Sequence, residues 1–186
     1  MRCRWLLATA LAALLASCGK SPRCGLAAPC RVEGVSGAVP GVRLSISADK
    51  CVFAVGEGAT FRYDIDVDAS GAAITVPDSG GCGHCSVLTD DPLSFATASV
   101  ASLSDPSVSY CDCDHGCCPP DVARTVTLRT GRSSGTLQWP GRVWSGPSDT
   151  GQQPGGWFPP GCYSVLVTIQ GYEAGTVTAA LPIEVD

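Results

Sequence analysis

Residues 61–68 alternate without a break: Phe61, Tyr63, Ile65 and Val67 are apolar, and Arg62, Asp64, Asp66 and Asp68 are charged. A period of two is that of a half-buried β-strand. A slip of one residue would turn three aspartates into the core, so the register is fixed before any partner strand is known. The same period runs through 42–47, where Val42, Leu44 and Ile46 share one side, and further strands are expected at 73–76, 107–110, 125–130, 163–169 and 176–185. In 163–169 both faces are largely apolar, which suits a central strand. No segment of the remaining chain carries a convincing amphipathic helix, and 22 Gly and 14 Pro in 186 residues break the chain into short pieces. About seven short strands separated by Gly, Pro, Asp and Ser turns predict an all-β chain, an antiparallel sandwich of two sheets.

The first residues stand outside that pattern. Arg2 and Arg4 precede an uncharged apolar run at 6–16. Such a run is too short for a hydrocarbon core of ~30 Å, which takes ~20 helical residues, and it matches the middle of a secretory signal peptide. Leu15-Ala16-Ser17-Cys18 then resembles the lipobox of bacterial lipoproteins. That resemblance implies that the Cys18 thiol receives a diacylglyceryl group, that a peptidase cuts just before it, and that the new amine is acylated. Several acyl chains would tie the mature chain to a membrane. In Gram-negative members the residue two after the cysteine influences sorting, and Lys20 in place of Asp implies the outer membrane. The expected organisation is a signal peptide at 1–17, a lipidated N terminus and flexible tether at 18–41, and the sandwich at 42–186.

The last third of the chain, from about Arg124, offers a strand, the Trp139-Pro140-Gly141 corner, a loop, and Pro160-Gly161-Cys162-Tyr163 leading into an alternating strand. It resembles the closing strands of bacterial immunoglobulin-like modules, and proteinase-inhibitor sandwiches end in a similar way. The resemblance implies an immunoglobulin-like β-sandwich; fold alone assigns no function.

Of twelve cysteines, Cys3 lies in the leader and Cys18 in the lipobox, which leaves ten. An even number in an exported chain marks a disulfide framework. The expected pairing joins Cys24 to Cys30 and shares Cys51 and Cys162 with two clusters. One cluster is Cys82-Gly83-His84-Cys85; the other holds Cys111, Cys113, His115, Cys117 and Cys118. Both histidines of the chain lie inside these clusters, and thiolate with imidazole suits zinc or copper. Against a metal stand the oxidising compartment and a spacing unlike paired Cys-x-x-Cys sites. The Cys82–Cys85 motif also resembles that of thiol-disulfide oxidoreductases, where a helix N-terminus activates the first thiol. Here Gly80 and Gly81 precede the motif and Pro92 follows it, so the strand and helix that chemistry needs are not offered. Disulfides are the preferred reading, a metal the alternative, and redox catalysis the third.

Other chemistry is excluded more simply. Asp64, Asp66 and Asp68 resemble the opening of a calcium loop, but Ala69 and Thr75 occupy the positions of its Gly and closing Glu. Asp149-Thr150-Gly151 matches the aspartic-protease triplet in a single copy. With no histidine outside the cysteine clusters there is no independent Ser-His-Asp set, and no Gly-rich loop with Lys is present to hold a phosphate. The net charge of −5, which becomes −7 when Arg2 and Arg4 leave, removes nucleic acid as a partner. One segment is left: Trp139, Trp144, Trp157 and Phe158 crowd a Gly, Pro and Gln-rich stretch. These aromatics either cover an open end of the sandwich or present anchors to a protein or carbohydrate partner. The chain is therefore expected to be a non-catalytic, lipid-anchored binding or structural module of the cell envelope without a cofactor. Nothing in the sequence signals an oligomeric state.

Overall fold

The computed structural model describes residues 24–26, 28–78, 89–111, 122–144, 153–171 and 174–186. Among them the regular elements are β1 (Arg31–Ser36), β2 (Val42–Ser47), β3 (Val52–Phe53), β4 (Ala59–Val67), β5 (Ala72–Asp78), β6 (Ala96–Ser102), β7 (Ser109–Cys111), β8 (Val122–Leu128), β9 (Gly131–Trp139), β10 (Gly161–Gln170) and β11 (Thr176–Val185). A 3-10 turn at Pro92–Phe95, capped by Asp91, leads into β6. The described residues are all-β apart from this turn, as expected. One sheet has the order β1-β2-β4-β9, a second β3-β11-β10-β6-β7, and β5 pairs with β8 in a separate ribbon. The sheets are antiparallel apart from the short β3–β11 pair. The first sheet packs through β1 and β2 against β11 of the second.

The alternating segments fold as their period demands. Phe61, Ile65 and Val67 of β4 and Val42, Leu44 and Ile46 of β2 are buried in the core. From the other sheet Val165, Val167 and Ile169 of β10 and Val177, Ala179, Leu181, Ile183 and Val185 of β11 meet them. β10 is indeed central, paired along its length with β11 and on its other side with β6.

Four strands escape the simple period, each for a physical reason. In β1 the apolar Val32 and Val35 are three apart, because a bulge lies between them and Gly34 adopts φ +60°. The extra residue returns Val35 to the inner side. The folded sheet therefore begins at β1, and the stretch 18–41 is not a flexible tether throughout. β3 is two residues long. β6 is built of Ala, Ser and Thr around a single buried Val100. β9 carries Ser133 and Gly135 where large apolar residues would be looked for, and a side chain on Gly135 would collide with the ring of Tyr63 opposite. Tyr63 thus covers the glycine. On the outer side Arg132 pairs with Asp66 at 2.9 and 3.2 Å, Ser134 donates to Asp64 at 2.6 Å and Thr60 to Gln138 at 2.7 Å. Polar cross-strand pairs hold this strand in place of alternating apolar ones.

The disulfides correct the expected pairing. Cys24 is bonded to Cys162 and Cys30 to Cys51; no bond joins Cys24 to Cys30. Arg31 is in register with Ser47, and the Ala48 amide donates to the Cys30 carbonyl at 3.1 Å, so β1 itself delivers Cys30 to Cys51. Cys51 and Cys162 are thereby used up outside the two clusters. Cys111, at the end of β7, is also disulfide-bonded.

Tyr163 closes the entry to β10. Its hydroxyl donates to the Pro159 carbonyl at 2.6 Å and its ring meets Phe158 edge-on, a corner of the kind found in Greek-key sandwiches. Burial, and then the charge of Asp105, push the phenol above its ordinary pKa. The neutral phenol is therefore favoured by folding, and its contribution is intact below about pH 10 and lost as the pH rises beyond it. Tyr163→Phe is expected to cost about 1 kcal/mol in denaturant unfolding at neutral pH, and the difference from wild type should shrink in alkali. Replacing both Cys30 and Cys51 by Ser should cost about 3 kcal/mol in the same measurement.

Candidate functional site

Strand register gives the sandwich two distinct ends. Tyr163 lies opposite Ser102 and Ile183, and Ile169 opposite Ala96 and Val177. One end therefore gathers the start of β10, the end of β11, the β6–β7 turn and β3. The Phe53 carbonyl accepts from Asp186, and Asp186 accepts in turn from Val55. Both disulfides, Cys24–Cys162 and Cys30–Cys51, lie at this end. The other end holds the turn at Gly37, against Thr176 and Val177, and the ribbon, whose Thr75 amide donates to the Gly171 carbonyl.

The aromatic stretch divides between core and surface. Trp139 is 2% exposed and Phe158 1% exposed. Trp139 meets Phe158 edge-on at 5.0 Å and Phe53 at 5.8 Å, with Phe61 at 6.1 Å. Its Nε1 has no acceptor among the described residues, so the indole serves as volume in the core. Trp144 is half-buried, its ring tilted against that of Tyr110 at 5.9 Å, with its backbone bridged to that residue. These three residues cover the end of the sandwich and are not presented as anchors.

Trp157 is the member of the set that stays in solvent, at 46% exposed. The Arg142 guanidinium sits 3.8 Å from its ring centroid, and the two backbones bridge. Gly56 lies against the same indole. Three more large apolar side chains are exposed among the described residues: Val52 at 40%, Val55 at 46% and Leu103 at 69%. All four belong to the disulfide-bearing end. Leu103 is held out by a tightly bonded turn. The Ser102 hydroxyl accepts from the amides of Ser104 and Asp105, Asp105 accepts from Ser107, and Ser102 donates to the Val108 carbonyl. The Ser107 contacts hold the Asp105 carboxyl below its ordinary pKa. Sequence reasoning found Trp157 and missed the other three. A lone Leu inside Ser-Leu-Ser-Asp-Pro-Ser was the visible signal for Leu103; Val52 and Val55 gave none, because their exposure depends on how β3 meets the edge of β11.

Cys18, Cys82, His84, Cys85, Cys113, His115, Cys117 and Cys118 lie outside the described residues. Among the described residues no group of three His, Cys, Asp or Glu side chains is placed to hold a metal ion, and no helix is long and apolar enough to cross a membrane. The row of Asp64 and Asp66 is engaged with Ser134 and Arg132, and Asp68 accepts from the Ser70 amide and hydroxyl.

No family model matches the chain, and no curated protein matches it. Among solved structures it is similar to a β-glucosidase from Listeria innocua in complex with glucose, at TM-score 0.39 and 12% identity, over 77% of this chain and 16% of that one. The same enzyme in complex with isofagomine gives TM-score 0.39 at 14% identity over the same shares. The chain corresponds to about a sixth of the length of those proteins.

Truncation separates the two kinds of tryptophan. Trp139→Ala should cost about 3–5 kcal/mol, as large buried aromatics do. Trp157→Ala should stay within about 1 kcal/mol, as surface changes do. Both are read from denaturant midpoints.

Proposed function

We propose that this chain is an exported lipoprotein of the cell envelope, attached through Cys18, and that its sandwich works as a non-catalytic binding or structural module. The lipobox and apolar leader support export and attachment. The observation that carries the reading is the Cys24–Cys162 bond. Disulfides persist in oxidising compartments, and this one fastens the folded domain to the segment immediately following the anchor cysteine. Only five residues separate Cys18 from Cys24. A domain so joined has no freedom to roam far from the surface, which suits a module that acts at the envelope. The outer membrane is the favoured location, from Lys20.

In cells fed labelled palmitate the wild-type chain is expected to take up label and to fractionate with membranes, whereas Cys18→Ala takes up none and leaves the membrane fraction. A wild-type chain that stays unlabelled ends this reading.

A second reading, zinc or copper binding by the cysteine and histidine clusters, is favoured by one feature of the fold. Asp78 and Val122 are register partners in the β5–β8 ribbon, so the segment holding Cys82, His84 and Cys85 leaves the sheet beside the point where the segment holding Cys113, His115, Cys117 and Cys118 returns. Thiol titration and metal content of natively exported protein decide between them. Fully blocked thiols are expected for the module stapled by disulfides, and free thiols with stoichiometric metal for the second reading.

A further inference from the structure

The four exposed large apolar side chains, Val52, Val55, Leu103 and Trp157, are gathered at the end of the sandwich where Cys24 is bonded to Cys162. Neither sheet face carries another among the described residues. The outer side of the β1-β2-β4-β9 sheet shows Arg132, Asp66, Asp64 and Ser134 bonded to one another. The outer side of the second sheet shows Thr168 and Thr178 sharing a hydrogen bond.

Chain length decides which surface a bilayer can meet. The six Cα-to-Cα steps from Cys18 to Cys24 reach at most about 22 Å when fully extended. β10, which starts beside that attachment, is ten residues long and spans about 30 Å at the usual strand rise. The far end of the sandwich is thus farther from Cys24 than the tether is long, and an inverted domain is out of reach. The domain can rest on the tethered end or lie on a polar side.

Resting on the interface by its tethered end, we infer, is the anchored domain's arrangement, with Trp157 and Leu103 entering the headgroup region and Val52 and Val55 beside them. This inference depends on the lipid anchor proposed above. Tryptophan and arginine are interfacial residues, one end apolar and the other wet, and Arg142 stacked on Trp157 supplies both in one place. The bonded turn at 102–108 presents Leu103 without further ordering of the backbone. Lys20 and Arg23 lie in the tether itself. Within the folded domain Lys50 pairs with Glu57 and Arg62 with Asp49, and Asp105 and Asp186 stand at the same end, so the domain's own contact is not an attraction to anionic lipid. The contact is apolar and therefore insensitive to salt. The β5–β8 ribbon, at the opposite end, is held away from the surface.

The test uses lipidated protein extracted from membranes and reconstituted into phosphatidylcholine vesicles brominated on the acyl chains near the glycerol backbone. Trp157→Phe, measured in parallel, isolates the emission of Trp157. That emission is expected to fall about two-fold against unbrominated vesicles, as for an indole in the interface. The remaining emission, from buried Trp139 and half-buried Trp144, should fall much less, and added salt should change neither. Leu103→Glu should relieve the quenching of Trp157. Protein that floats with the vesicles while Trp157 emits equally with and without bromine overturns the inference and leaves the anchor standing; a protein partner at this end would give that result. Protein that carries no lipid and does not float removes the anchor reading and the inference with it.

Discussion

Every other part of this fold is placed by the ladder between β10 and β11. Its ten pairs, from Gly161 with Val185 to Gln170 with Thr176, run without a bulge. The alternating Val177, Ala179, Leu181, Ile183 and Val185 leave a single register in which all five are buried. β6 is then laid on the free side of β10, β3 on that of β11, and β2 packs across the interior. The first residues of β10 carry more than their share: Cys162 takes the bond to Cys24, and Tyr163 both fills the aromatic cluster and ties the incoming loop to its own strand. A shift of one residue here would move the disulfide, the corner and the core together.

The same ladder makes the two ends of the molecule unlike. At the end set by Cys162, covalent bonds and an aromatic cluster of Phe53, Phe61, Trp139, Phe158 and Tyr163 fix the backbone firmly enough to hold apolar side chains in solvent. Exposed Leu and Trp are unfavourable in water, and they persist where rigid turns deny them a route inward. At the other end the turns are short, glycine-bearing and polar, with Gly41, Gly71, Gly131 and Gly175 at positive φ. The β5–β8 ribbon rises from there with Ala72, Ile74 and Leu128 as its buried foot.

Strands that obey a strict two-residue period were legible in the sequence, and those that do not were hidden for reasons of their own. β4, β2, β10 and β11 announce themselves because each buries one row of large side chains. β1 was read as tether since its bulge breaks the period, and β6 and β9 were missed because Ala, Ser and Gly occupy inner positions that a neighbouring ring or strand fills. The disulfide partners were unreadable for a different reason: spacing along the chain favours the short loop from Cys24 to Cys30, while the β1–β2 register carries Cys30 to Cys51 and leaves Cys24 to reach Cys162 at the start of β10. The aromatic stretch was legible as a group and not member by member. Trp139 ends β9 facing the core, and Trp157, eighteen positions on, is bridged to Arg142 and exposed.

The polar cross-strand pairs of β4 and β9 would have a further consequence under the lipid anchor proposed above. Tethering raises the local concentration of copies and restricts them to two dimensions, conditions in which exposed sheet faces and edges meet repeatedly. β9 is an edge strand, and it presents Arg132, Ser134, Thr136 and Gln138 outward, the first two already bonded to Asp66 and Asp64. Stacking a second copy on that face would strip water from paired charges without supplying better partners, which costs more than it returns. β1, the opposite edge, is bulged and carries the Arg31–Glu33 ion pair, and bulges and charges on edge strands oppose the addition of another strand. The apolar side chains at the disulfide-bearing end face a different surface from either edge. Side-to-side association is thereby disfavoured while the end of the sandwich stays free to make its own contact.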